Sequence, residues 1–134
     1  MAGMLYLVPT PIGNLGDISK RARETLESAD FIAAEDTRVT LKLLNHLELK
    51  KPLVSYYEHN KSFKGEKILD RILAGETCAL VSDAGSPAIS DPGEDLVKQC
   101  AAAGIPVCAI PGPCAAITAL SISAQSTGRF CFEG

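Results

Sequence analysis

A chain of 134 residues with 46% hydrophobic and 22% charged side chains is expected to fold as one compact domain with a buried core. This composition excludes a largely disordered chain. The net charge of −3 does not by itself indicate a nucleic-acid partner, although it leaves room for a local basic face.

Short apolar runs alternate along the chain with segments of helical periodicity. The predicted strands are Leu5–Val8, Phe31–Ala34, Leu53–Ser55, Cys78–Val81, Val107–Ile110 and Phe130–Phe132. The predicted helices are Ile18–Ser28, Arg38–His46, Lys64–Leu73, Glu94–Ala103 and Cys114–Ser123. The alternation predicts an α/β fold with an open, mostly parallel, five- to six-stranded sheet, helices on both faces and right-handed crossovers.

The cysteines and the amino terminus bear on the compartment. The chain has five cysteines, an odd number without a C-x-x-C pair, and its two histidines show no ligand spacing with them. We therefore expect reduced, mostly structural thiols, three of them in buried strands, and no metal site. The first residues lack a basic segment followed by an apolar one, so we expect no signal peptide and a cytoplasmic location.

Three loops that follow predicted strands are rich in glycine, proline and small side chains. They are Pro9–Asp17, Ser82–Gly93 and Pro111–Ala116. Each alone is typical of an ordinary turn, but together at the carboxyl edge of one sheet they predict a ligand site. None carries a cationic side chain, which suits a neutral or zwitterionic adenosine-type cofactor better than a triphosphate. The glycine patterns of P-loops and of dinucleotide-binding folds are both absent.

The loop Ser82–Gly93 also carries the signals that begin a helix. Asp91 is a good N-cap, Pro92 suits the first helical position, and Glu94 lies three residues after the cap. A loop of small residues that ends on a helix N-terminus allows a ligand to approach the backbone closely.

A fourth segment brings charged side chains to the same predicted edge. Glu35 and Asp36 follow the second strand, and Thr37 and Arg38 follow them directly before a helix. The two adjacent acids point in different directions and are not a ready-made catalytic dyad. Capping by Asp36 or Thr37, with Arg38 paired to either acid, is the simplest interpretation. The same groups also suit the orientation of a substrate hydroxyl or phosphate.

The segment Tyr56–Lys61 follows the third strand and mixes aromatic, acidic, imidazole and basic side chains. Aromatic rings beside a lysine can stack on bases and contact phosphate. A solvated loop is the simpler interpretation of Lys61 and Lys64.

Taken in chain order, four motifs resemble the ribosomal RNA methyltransferase branch of the tetrapyrrole (corrin/porphyrin) methylase superfamily. The motifs are the segments 5–17, 34–38, 82–93 and 110–116, so the resemblance covers essentially the whole chain. It implies S-adenosyl-L-methionine as cofactor and 2′-O-methylation of a cytidine ribose in 16S rRNA, within the small ribosomal subunit. It also implies a homodimer of two-domain subunits, with the cofactor in the cleft between the domains. Members are roughly twice as long as this chain, so residues 1–134 are expected to be the N-terminal domain alone.

The resemblance also implies which residues meet the cofactor. These residues are Pro11, Ile12 and Gly13 in the first loop, Asp83, Ser86, Pro87 and Ile89 in the second, and Cys114 and Ala115 in the third. Tetrapyrrole-modifying relatives carry an aspartate where this chain has Ser86, which favours the RNA branch. A tetrapyrrole-type small-molecule methylase and an isolated dimerising domain without activity of its own remain the alternatives.

Methyl transfer to a ribose hydroxyl predicts the catalytic residues. The hydroxyl is a poor nucleophile until its proton leaves, and it must lie in line with the methyl group. Our hypothesis is that Glu35 or Asp36 accepts or orients this proton, and that Arg38 fixes a phosphate or pairs with the acid.

Overall fold

The computed structural model describes residues 3–134, which form a five-stranded sheet between two helical layers. The strands are β1 (Met4–Leu7), β2 (Phe31–Ala34), β3 (Leu53–Ser55), β4 (Thr77–Val81) and β5 (Val107–Ala109). The helices are α1 (Lys20–Ser28), α2 (Thr37–His46), α3 (Lys61–Leu73), α4 (Gly93–Ala102) and α5 (Ala115–Ser121), with a short 3-10 turn at Leu15–Asp17.

Every pair of neighbouring strands in the sheet is parallel, and the strand order is β3-β2-β4-β1-β5. The chain steps one way across the sheet from β1 to β3 and then steps back through β4 to β5. Helices α1 and α2 lie on one face and α3 and α4 on the other. Because step direction and helical face reverse together, all four crossovers share one hand, as parallel β-α-β units require. The α/β class predicted from the sequence is confirmed.

Two hydrophobic cores hold the layers together. One core packs α1 and α2 on the sheet; it includes Val8, Ala22, Leu26, Ile32, Leu43, Leu44, Ala79 and Val81. The other packs α3 and α4 on the opposite face; it includes Leu5, Phe31, Ala33, Ile68, Ile72, Cys78, Leu80, Leu96 and Cys100. The strands alternate between the cores because successive side chains point to opposite faces of a sheet. All four residues of β2 are buried, as expected for a central strand covered on both sides.

The predicted sixth strand, Phe130–Phe132, is wrong. These residues pair with no strand, and both phenylalanines are more than half exposed. Alternation of aromatic side chains favours a strand, but a strand forms only where the segment can pair with the edge strand of a sheet. Here the segment lies beside the loops at the carboxyl ends of the strands instead. Cys131, expected in a buried strand, is exposed for the same reason.

Helix α5 differs from the other four helices because none of its residues is buried. Its exposed side chains include Ile117, and Ile122 directly after it is 83% exposed. No helix in the described part of the chain combines the length and the apolar character that a bilayer crossing requires.

Candidate functional site

The loops after β1, β4 and β5 meet at the carboxyl edge of the sheet, since β1 lies between β4 and β5. The first two loops are joined by a pair of backbone hydrogen bonds. Thr10 N donates to Gly85 O at 3.1 Å, and Gly85 N donates to Thr10 O at 2.9 Å. The Ser86 hydroxyl donates to Pro113 O at 3.2 Å, which ties the second loop to the third. The sequence prediction that these loops share one edge is confirmed.

Two glycines let the loops approach this closely. A Cβ on Gly112 would lie 2.3 Å from Cγ of Pro9, so no other residue fits between the first and third loops. Gly85 has a φ of +80°, and its Cβ would lie 3.3 Å from Cγ2 of Ile12. The glycines thus permit the close contact of backbones from which the edge is built.

Two clefts flank the bonded pair Thr10 and Gly85. The larger cleft has a volume of about 560 Å³, and we call it the Ile12 cleft. Its lining residues are Ile12, Ala84, Gly85, Ser86, Ile89, Cys114, Ala115, Ala116, Ile117, Phe130 and Phe132. The smaller cleft has a volume of about 380 Å³, and we call it the Lys42 cleft. Its lining residues are Thr10, Pro11, Gly13, Asn14, Leu15, Val39, Thr40, Lys42, Leu43, Ser82 and Asp83.

The nine residues predicted to meet a cofactor divide between these clefts. Ile12, Ser86, Ile89, Cys114 and Ala115 line the Ile12 cleft. Pro11, Gly13 and Asp83 line the Lys42 cleft instead. Pro87 is buried and lines neither. The structure therefore brings five of the nine into one apolar cleft that contains no charged side chain.

The turn that carries Ile89 has an unusual backbone. Ala88 and Ser90, on either side of it, have φ values of +71° and +53°, which non-glycine residues rarely adopt. The Asp91 carboxylate stabilises the turn by accepting hydrogen bonds from Ala88 N at 3.0 Å and Gly93 N at 2.7 Å. This conformation leaves Ile89 64% exposed at the wall of the Ile12 cleft. Helix α4 begins at Gly93, so Pro92 occupies the cap position that was expected for Asp91.

Tyr56 supports this turn through a buried hydrogen bond, a role that the sequence did not indicate. Its side chain is 1% exposed, and its hydroxyl donates to Pro92 O at 2.9 Å. Burial raises the pKa of Tyr56 to about 12, which keeps the hydroxyl protonated as a donor. Lys61 forms ion pairs with both Glu58 and Asp95, which joins the segment after β3 to the start of α4. The solvated-loop interpretation of Lys61 and Lys64 is wrong, since both lie in α3 and Lys61 is ion-paired.

The two acids at the end of β2 occupy different environments. Asp36 is the N-cap of α2: its Oδ1 accepts from Arg38 N at 3.0 Å. The Arg38 guanidinium holds the same carboxylate through Nε at 3.2 Å and Nη2 at 3.1 Å. These hydrogen bonds lower the pKa of Asp36. The two interpretations left open, capping and pairing, therefore both apply to Asp36.

Glu35 has the opposite electrostatic environment. Partial burial raises its pKa, and the charges of Asp83, Asp91 and Asp36 raise it further. Asp83, whose charge acts on Glu35, lines the Lys42 cleft, so Glu35 lies near that cleft. Glu35 and Asp36 line neither cleft themselves. The pKa values of these two neighbouring carboxyl groups are thus moved in opposite directions.

The residues that form these loops belong to a sequence that matches one family of proteins. The model of the tetrapyrrole (corrin/porphyrin) methylases matches residues 4–130, nearly the whole chain. The chain belongs to the tetrapyrrole methylase family.

Curated relatives within the tetrapyrrole methylase family share about half of its residues. A protein of Halalkalibacterium halodurans named ribosomal RNA small subunit methyltransferase I is 57% identical over 98% of this chain and 46% of its own length. The protein of the same name from Synechocystis sp. is 54% identical over 98% of this chain and 47% of its own length. The chain thus spans about half the length of the curated relatives it matches.

Solved structures share the fold of this methylase domain at much lower identity. A conserved hypothetical protein from Aeropyrum pernix K1 is 22% identical and superposes with a TM-score of 0.77 over 98% of this chain and 46% of its own. Uroporphyrin-III-C-methyltransferase from Thermus thermophilus is 24% identical, with a TM-score of 0.69 over 90% of this chain and 52% of its own. Within residues 3–134, no three His, Cys, Asp or Glu side chains are grouped so that they would hold a metal ion.

Proposed function

We propose that residues 1–134 are the N-terminal domain of a two-domain methyltransferase that uses S-adenosyl-L-methionine to methylate a cytidine 2′-hydroxyl in 16S rRNA. The observation that carries this proposal is identity above 50% along the whole chain to proteins named ribosomal RNA small subunit methyltransferase I. Its partners would be the small ribosomal subunit, in the cytoplasm, and a second copy of the protein in a homodimer.

The chemistry of the Ile12 cleft fits the proposed cofactor. The lining is mostly apolar, and it contains no cation that would favour a polyphosphate. Ile12 and Ile89 would contact the adenosyl group, and the backbone beside Cys114 and Ala115 offers hydrogen-bonding groups. When bound, S-adenosyl-L-methionine supplies an electrophilic methyl group on a sulfonium that leaves as a neutral thioether.

Glu35 is the proposed general base. Its raised pKa makes it a better proton acceptor than Asp36, whose pKa is lowered by Arg38. Glu35 would take the proton that the ribose 2′-hydroxyl loses as its oxygen bonds to carbon, and would then release it to water. Asp36 would keep Arg38 beside the site, where the guanidinium can also reach a phosphate.

A methyl-transfer assay tests the proposal. Radiolabelled cofactor is offered with small ribosomal subunits in one arm and a tetrapyrrole in the other, to this chain and to the chain joined to the second half that its relatives possess. The proposal predicts label in RNA with the longer protein. Label in the tetrapyrrole alone would favour the small-molecule alternative. If this chain dimerises but calorimetry detects no cofactor binding, the result would favour the alternative of an isolated dimerising domain.

A further inference from the structure

The Lys42 cleft adjoins the Ile12 cleft along the first two loops. Pro11 lines the Lys42 cleft and the next residue, Ile12, lines the other. Asp83 and Ala84 divide between the two clefts in the same way. Two groups, one bound in each cleft, would therefore contact each other beside the bonded pair Thr10 and Gly85. This arrangement suits a reaction in which a donor and an acceptor must come within contact distance.

The side chain of Thr40 offers a hydroxyl to the Lys42 cleft. Thr40 is only 3% exposed and lines the cleft, yet its hydroxyl has no hydrogen-bond partner within residues 3–134. Two other helical threonines show the usual pattern. The hydroxyls of Thr25 and Thr118 each donate to a carbonyl four residues earlier, at 2.7 Å. Since this oxygen is not among the buried polar atoms that lack a partner, it is accessible, and a ligand in the cleft can form a hydrogen bond with it.

The charges of the Lys42 cleft differ from those of the Ile12 cleft. Lys42 is exposed on α2 and forms no ion pair with any described residue. It lies four residues after Arg38, so both cations lie on one face of the helix. Leu15 and Val39 add exposed apolar surface to the lining. Asp83 places one carboxylate in the same lining. The cation, the accessible hydroxyl and the apolar wall match the phosphate, the polar edges and the flat face of one nucleotide.

We propose that the Lys42 cleft seats the acceptor nucleotide, a pyrimidine ribonucleotide, with Lys42 on its phosphate and Thr40 on a polar edge. This proposal rests on the proposed function, and it assigns donor and acceptor to separate clefts. The volume of about 380 Å³ lies near the lower end of the range for small-molecule sites, roughly 300–1,000 Å³, and suits a single nucleotide.

Substitutions in the two-domain protein test the assignment through the two Michaelis constants. We expect Lys42→Gln and Thr40→Val each to raise KM for ribosomal subunits by about three- to tenfold and to leave KM for the cofactor unchanged. Thr40→Ser keeps the hydroxyl and should restore most of the loss. Lys42→Gln should also reduce the salt dependence of RNA binding by about one phosphate contact.

Two matched variants serve as controls. Lys98→Gln removes an exposed lysine from α4 on the opposite face, and Thr25→Val removes a hydroxyl that already has a protein partner. Both should leave the two Michaelis constants unchanged. Equal effects of Lys42→Gln and Lys98→Gln, or a rise in the cofactor constant alone, would overturn the assignment.

A binding measurement without turnover separates this proposal from the proposed function. In a titration of this chain with cytidine 5′-monophosphate, amide NMR shifts should concentrate at Gly13, Thr40 and Lys42, and Thr40→Val should weaken them. Shifts confined to the Ile12 cleft, or no shifts at millimolar nucleotide, would overturn the assignment. Absence of methyl transfer to RNA would instead contradict the proposed function.

Discussion

At the scale of single residues, Glu35 and Asp36 illustrate how the environment moves the pKa values of two adjacent carboxyl groups in opposite directions. Asp36 is fixed by the α2 backbone and by Arg38, which lowers its pKa. Glu35 has no such partner within residues 3–134; burial first, and then the charges of Asp83 and Asp91, raise its pKa. The sequence identified both acids but left their roles interchangeable, because the direction of each side chain depends on the local backbone and on tertiary neighbours.

Substitution of each acid tests this division of roles in the two-domain protein. We expect Glu35→Gln to lower kcat by about 10²- to 10⁴-fold, the range for loss of a general base. Asp36→Asn keeps a capping oxygen and should reduce kcat far less. Steady-state methyl-transfer rates on ribosomal subunits measure both effects. A full rate for Glu35→Gln would remove Glu35 from the mechanism.

The pH dependence follows from the same pKa shift. Glu35 must be ionised to accept a proton, so kcat/KM rises with pH through a pKa that lies above the ordinary value for glutamate. Asp83→Asn removes one of the charges that raise this pKa, and the acid limb should therefore move to lower pH. Rate profiles of the parent and Asp83→Asn measure the difference. A limb that stays in place, or moves to higher pH, would show that another group titrates.

At the scale of elements, the turn between β4 and α4 depends on a contact that is remote in sequence. Tyr56 lies 36 positions before Pro92, whose carbonyl accepts its hydrogen bond. Local signals located the strand, the loop and the helix here to within one or two residues. They did not reveal the contact, since a tyrosine after a short strand is equally compatible with a solvated ring.

The Tyr56→Phe variant of this chain tests the support of the turn. Loss of the hydrogen bond to Pro92 should lower the free energy of unfolding by about 0.5–1.5 kcal/mol. The neighbouring Tyr57 is 39% exposed, so Tyr57→Phe is the matched control and should change stability by less than about 0.5 kcal/mol. Urea denaturation of the three proteins measures both values. Equal stability of the two variants would show that the buried bond contributes nothing.

Two segments near the end of the chain show the limit of local patterns. Helix α5 was predicted within two residues at each end, although none of its residues is buried. Phe130–Phe132 has an alternating pattern but forms no strand. Helical hydrogen bonds close within a segment, whereas a strand needs a partner that only the complete topology supplies.

At the scale of the whole molecule, the two cores lie on the faces of the sheet and both clefts lie at its loop edge. Apolar runs and helical periodicity sufficed to predict the layers, because burial of those faces requires a sheet covered on both sides. The division of the edge into two clefts was not predictable. It arises from the pairing of Thr10 with Gly85, two residues far apart in sequence.

A pair of large-to-small substitutions tests the distribution of stability in this chain. Leu96 is fully buried in the core beneath α4, so Leu96→Ala should reduce the free energy of unfolding by about 2–5 kcal/mol. Ile122 is 83% exposed, and Ile122→Ala should change it by no more than about 0.5 kcal/mol. Urea denaturation provides the comparison. A similar loss in both variants would mean that the surface around α5 contributes as much as the core.

The identity of the methylated nucleoside tests the central claim most directly. Small ribosomal subunits lacking the modification are incubated with S-adenosyl-L-methionine and the two-domain protein, and their RNA is digested and examined by mass spectrometry. We predict 2′-O-methylcytidine in 16S rRNA, and none when the cofactor is omitted. A methyl group on a base, on another nucleoside or on no RNA at all would contradict the account.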